Sequence, residues 1–240
     1  MTYGRHVRSA ERGNVLFLIL IAVALFATLS YAVIQSTRSG GAGTSKETST
    51  VDVAQILTVP NSYRTTVQRM MVGQGMDGGD IVAVSPSAFG VVSAQLNTQN
   101  LYHPTGGAMP YPIPPKNLMD PVYDTNVWSV NSENEVKNVG ATTAIPDIDH
   151  VELIAFLPGL KKSVCEAINE KLGITGGMPV SYADVTMNAS SDPPTYMENG
   201  GAGVIGGTAS DSQLTGKLEG CFQVNGTSDW YAFYAVLVGR

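Results

Sequence analysis

The segment Gly201–Gly206, GAGVIG, spells the G-x-G-x-x-G pattern in which glycine amides approach a dinucleotide pyrophosphate at a helix start. That chemistry needs a buried strand before the glycines and an apolar helix after them. Here SSDPPTYMENG precedes and GTASDSQLTG follows, so a flexible loop is expected. Metal or acid chemistry needs carboxylates and histidines gathered together. The nearest approaches are Asp77 and Asp80 in DGGD and Asp147, Asp149 and His150 in DIDH, and neither has EF-hand or zinc spacing. Both read as turns, where Asp and Gly are ordinary, with loop-bound calcium as the one exception. The remaining histidines are His6 and His103, and no G-x-S-x-G elbow or H-E-x-x-H pair accompanies them. No enzyme, cofactor or resident metal is therefore expected.

The two cysteines, Cys165 and Cys221, both follow a long apolar run. If that run crosses a membrane, they face an oxidising compartment, and one disulfide is the natural count. Two buried free thiols are the alternative. A bridge would stabilise the fold by about 4 kcal/mol on the chain-entropy account.

The elements that would carry these residues are uneven in clarity. LKKSVCEAINEKLG has Leu160, Val164, Ile168 and Leu172 at four-residue spacing and Gly173 as a stop, which predicts a helix. DHVELIAFLPG reads as a strand, and GCFQVNGTSDWYAFYAVLVGR as two strands around Asn-Gly turn chemistry. A bridge would then tie the helix to a C-terminal hairpin. DIVAVS and FGVVSAQL read as short strands, and the proline-rich YHPTGGAMPYPIPPKNLMDP as a segment wrapping the surface. The tyrosines Tyr102, Tyr111, Tyr182 and Tyr196 are scattered, as aromatics ordinarily are.

Glycine at 26, proline at 13 and only 14% charged residues describe a loop-rich polar surface rather than a helix bundle. The net charge of −6 is asymmetric. Arg5, Arg8 and Arg12 stand against Glu11 near the N-terminus, whereas Lys46 to Arg240 holds ten basic and nineteen acidic residues. Such an acidic segment carries no footprint for nucleic acid.

Between these regions lies ERGNVLFLILIAVALFATLSYAVIQSTR. Val15 to Ile34 is free of charge, and as a helix it would span about 30 Å, the thickness of a bilayer core. The arginines before it place residues 1–13 in the cytoplasm and the chain after Ser36 across the membrane, N-in and C-out. A removable secretory signal has a shorter apolar region and a small-x-small cleavage site, which SYAVIQS matches only in part. After Ile34, Gly40, Gly41 and Gly43 suggest a hinge. Helical periodicity resumes with Val53, Ile56, Leu57 and Val59 and continues through Val67, Met70 and Met71, with Pro60 expected to break or kink it.

A short basic leader ending in Arg12-Gly13, followed at once by the apolar run, resembles the N-terminus of type IV pilins and type II secretion pseudopilins. The resemblance covers about residues 5–70. It implies that a prepilin peptidase cuts between Gly13 and Asn14. It further implies that the helix then packs with copies of itself or with other pilins in a filament core. Where the family carries Phe or Met and then Glu, this chain has Asn14 and Leu18. That departure implies a tip or divergent subunit, or a pairing solved differently. Small residues such as Ala22, Ala24 and Ala27 would favour close helix packing. The family's C-terminal disulfide fits Cys165 and Cys221 loosely, and in a prokaryotic reading the Asn188 and Asn225 sequons are uninformative.

The expected architecture is α+β: a long N-terminal hydrophobic helix plus a C-terminal globular head with an antiparallel sheet and a short helix. Its parts are a leader (1–13), a transmembrane or filament-core helix (14–38), a glycine-rich hinge with an amphipathic helix (39–71), and a β-rich head (72–240). The expected function is a structural subunit of a type IV pilus-like or pseudopilus filament. Its precursor would lie in the inner membrane, and the mature chain in an extracellular filament or periplasmic pseudopilus. A signal-anchored periplasmic binding or receptor domain that never polymerises is the alternative.

Overall fold

The runs ELIAFLPGL and YAFYAVLV are too apolar for strands with one wet face, and a computed structural model shows why. They form β2 (Glu152–Leu160) and β6 (Tyr231–Val238), paired antiparallel at the centre of a six-stranded sheet whose two faces are both covered. The structure describes residues 13–84, 86, 94–122, 127–140, 152–181, 185, 187, 203–224 and 230–239; within the first helix, side chains are described at 17–31 and 53–74. The expectations that fall on Asp147, Asp149, His150, Tyr182, Asn188, Tyr196, Asn225 and the leader through Arg12 lie outside the described residues.

The helices are α1 (Gly13–Gln74), α2 (Ala94–Gln99) and α3 (Lys162–Lys171). The other strands are β1 (Ser129–Val136), β3 (Val180–Ser181), β4 (Gly203–Ile205) and β5 (Glu219–Val224). The chain divides into two units, Met1–Ser49 and Thr50–Arg240, with α1 contributing to both.

The second unit is built on the sheet, in the order β3-β5-β6-β2-β1-β4. Alternation along the central strands sends Leu153, Ala155, Leu157, Tyr231, Phe233 and Ala235 to one face. There they pack with Ile56, Tyr63, Val67 and Met70 of α1, Ile168 of α3 and the segment around Leu101 and Met119. Ile154, Phe156, Ala232, Tyr234 and Val236 point to the other face, against Ile174, Val185, Met187, Leu214 and Trp230. Two-sided burial removes the alternation that marks a half-wet strand, so these strands read as continuous apolar runs. At the irregularity between Asn131 and Asn134 of β1, the Asn131 carboxamide oxygen accepts from the Glu133 amide at 3.3 Å and from Asn134 Nδ2 at 3.0 Å. That side chain takes up an amide that a bulge turns out of the ladder.

The expected plan of a long N-terminal hydrophobic helix plus a head on an antiparallel sheet is overturned. The sheet is mixed: β1 runs parallel to β4, and β3 parallel to β5. Those two short edge strands reach their partners through long connections, which hairpin patterning does not reveal. Nor does the apolar run stand as a hydrophobic helix by itself. Among the described residues no helix is long and apolar enough to cross a membrane. The backbone of α1 stays helical from the apolar run through Gly40, Gly41 and Gly43 and past Pro60. Glycine costs about 1 kcal/mol in a helix and proline about 3, penalties that bias a helix without forbidding it. Burial of Ile56, Tyr63, Val67 and Met70 around Pro60, at about 1.5–3 kcal/mol each, outweighs the proline penalty.

Two further expectations change. FGVVSAQL is not a strand where it is described, since Ala94–Gln99 is helical, and the described residues of DIVAVS contribute an isolated bridge from Val82 to Asn100 rather than a strand. The proline-rich segment does more than wrap the surface: Tyr102, Met109, Leu118 and Met119 are buried in the core.

Candidate functional site: an exposed apolar stretch of the first helix

Within the first unit, Phe17 to Tyr31 forms fifteen helical residues with no charge among them. Leu, Ala, Ile and Phe propagate the helix, and the Thr28 hydroxyl donates back to the Leu25 carbonyl at 2.9 Å, so even that polar group needs no outside partner. The large side chains are open to solvent: Leu18 is 59% exposed, Leu25 65% and Phe26 73%. Exposure has no preferred side. Successive residues from Phe17 to Ile21 step 100° around the axis, and each of the five is at least 41% exposed. A helix apolar on every side is stable only when surrounded.

Of the expected assembly residues, Leu18, Ala22, Ala24 and Ala27 all lie exposed on this stretch. Helical geometry places Leu18 with Ala22 on one side and turns Ala24 and Ala27 away from them, so the four do not form one face. Gly13 is the first residue of α1, and the Asn14 side chain is outside the described set.

The other chemical candidates resolve into structure. Asp77 and Asp80 form a capping box on the 3-10 turn Gly78–Asp80, each carboxylate accepting a backbone amide of the same turn. Of GAGVIG, Gly203 to Ile205 is edge strand β4 rather than the expected loop. His103 is occupied by a turn, its Nδ1 lying 2.8 Å from Thr105 Oγ1. Among the described residues no group of three His, Cys, Asp or Glu is placed to hold a metal ion. Cys165 and Cys221 form a disulfide, with their Cα atoms 5.4 Å apart, that joins α3 to β5 as the predicted helix and hairpin require.

Several polar side chains escaped sequence reasoning. Asn169 of α3 meets both backbone groups of Cys221, donating to its carbonyl at 2.8 Å and accepting from its amide at 2.9 Å. Asn100, fully buried, grips Val84 in the same two-way manner. The Tyr63 and Tyr102 hydroxyls lie 2.5 Å apart beneath Trp128, and burial raises both phenols above their ordinary values. Asp211 is wholly buried but satisfied, accepting from the Gly206 and Thr208 amides and the Thr208 hydroxyl. Glu152 is 1% exposed. Its Oε2 accepts from the Val136 amide at 2.9 Å, whereas Oε1 has no partner among the described residues. Burial foremost, with the Glu135 charge adding to it, pushes its pKa up to about 7 against the opposing backbone hydrogen bonds.

The chain matches no protein-family profile, no curated protein and no solved structure. The exposed apolar stretch of α1 is a surface feature that ordinary monomers lack.

Proposed function

We propose that this chain is a structural subunit of a type IV pilus-like or pseudopilus filament, associating through the apolar part of α1. The observation that carries this reading is the exposure of Phe17–Tyr31 on every side of a charge-free stretch of α1. The sequence run Val15–Ile34 and the arginines before it support an inner-membrane precursor, N-in and C-out. A prepilin peptidase then removes residues 1–13, and the apolar helix exchanges lipid for helices of sister subunits. Both surroundings are apolar, so little hydrophobic free energy changes in the exchange and side-chain packing decides assembly.

Mass spectrometry of the mature N-terminus tests the proposal. A chain beginning at Asn14, N-methylated or not, and found in filaments is the expected result. A chain retaining Met1 or beginning beyond Ile34 overturns it. Replacing Gly13 by a bulky residue leaves the precursor unprocessed if the peptidase acts there.

A further inference from the structure

A groove of about 410 Å³ lies wholly within the second unit, open along one side. One wall is a face of α1, with Ser62, Thr65 and Thr66 leading to Arg69; the other is the turn Ala108–Met109–Pro110. The two walls approach closely because of Gly107. A Cβ there would fall 2.8 Å from Thr66 Cγ2 and 2.3 Å from the Leu101 carbonyl oxygen, so only glycine lets the turn sit this near the helix. Ala108, next to it, holds a left-handed φ of 49°, a conformation that costs a non-glycine residue energy.

Arg69 gives the groove its charge. Its Nη2 donates to the Gly107 carbonyl, which fixes the guanidinium across the gap. Arg64, one turn earlier, pairs with Glu219 at 2.6 Å; Arg69 has no carboxylate partner among the described residues, and no acidic residue lines the groove. A fixed guanidinium among neutral hydroxyls is built to take a carboxylate in fork geometry. Small-molecule pockets enclose most of their ligand, whereas a shallow site open to solvent, as this one is, leaves room for a segment of another chain. The region from Lys46 to Arg240, with ten basic and nineteen acidic residues, offers such carboxylates in abundance.

We propose that this groove is a contact site between copies of this chain, in which Arg69 receives a carboxylate from an acidic segment of a second copy while Met109 and Pro110 cover its stem. The site rests on the assembly reading given above and adds a second, polar contact to the apolar one. It gives assembly a salt-sensitive component that the apolar helix alone would not have.

The test is sedimentation velocity of the full chain in detergent micelles at low and high salt, comparing wild type with Arg69→Glu and Thr65→Glu. The second variant leaves the Arg69–Gly107 bond in place and supplies an intramolecular carboxylate four residues before Arg69, where it pairs along the helix. Wild type is expected to associate less at high salt, and both variants to associate about threefold to tenfold more weakly at low salt with little salt dependence left. Variants that associate as wild type does at both salts overturn the groove and leave the helix reading standing. Loss in Arg69→Glu with Thr65→Glu unchanged points to damaged turn packing and overturns the groove as well. A wild type that stays monomeric at both salts overturns the groove, whereas the helix reading, whose apolar surface the detergent covers, is judged by the mature N-terminus and the filaments.

Discussion

Glu152 is a carboxyl held out of water, with one oxygen bound to the Val136 amide and the other without a partner among the described residues. Its folded pKa of about 7 lies above the ordinary 4.5. The native state therefore prefers the protonated form, and the stability this contributes is fully present below about pH 4.5 and lost as pH rises through about 7. Glu152→Gln keeps the neutral shape and removes the titration. The variant should unfold in urea with nearly wild-type stability at pH 4 and with a gain of about 1–3 kcal/mol at pH 8. If both proteins lose stability in parallel between those pH values, Glu152 is not the group responsible.

At the scale of elements, α3 holds β5 twice at one residue. The disulfide binds the side chain of Cys221, and the Asn169 carboxamide binds its backbone, standing in for a strand neighbour just beyond the short β3 pairing at Gln223 and Val224. Replacing both cysteines by alanine should cost about 2–4 kcal/mol, and Asn169→Ala about 1–3 kcal/mol because it strands two buried backbone groups. The two clamps share a strand residue, so a double-mutant cycle in urea should show coupling of more than about 0.5 kcal/mol. Strict additivity would mean that each holds α3 independently.

For the whole molecule, the question is what surrounds the apolar stretch of α1. The sheet unit needs no help from it, since both sheet faces are already covered within Thr50–Arg240. A charge in the apolar stretch should then separate folding from assembly. Leu25→Asp is expected to abolish filaments seen by electron microscopy, because a carboxylate among packed apolar helices costs several kcal/mol. The near-ultraviolet circular dichroism of Trp128, Trp230 and the buried tyrosines should be unchanged. Filaments of normal length and number in that variant would remove the helix from the assembly.

The sequence alone determined the parts whose signals are local. The spacing of Val164, Ile168 and Leu172 with Gly173, which takes a left-handed φ of 67°, marked α3, although Leu160 of the same stripe closes β2; apolar runs around a turn marked β5 and β6; and two cysteines, one in α3 and one in β5, marked the bridge. The lack of charge after Gly13 is equally local, but the separate hydrophobic helix expected from it is not what folds, since the run continues into the longer α1. Tertiary structure decided the rest. Which strands become parallel edge neighbours of β1 and β5 depends on contacts distant in the chain, so GAGVIG was open to a loop reading until Gly203–Ile205 lay beside Asn134–Val136. Asn100 and Asn169 look like any surface amide until the backbone they grip is folded against them. The helix through Pro60 follows the same rule: local penalties of a few kcal/mol yield where burial along one face exceeds them.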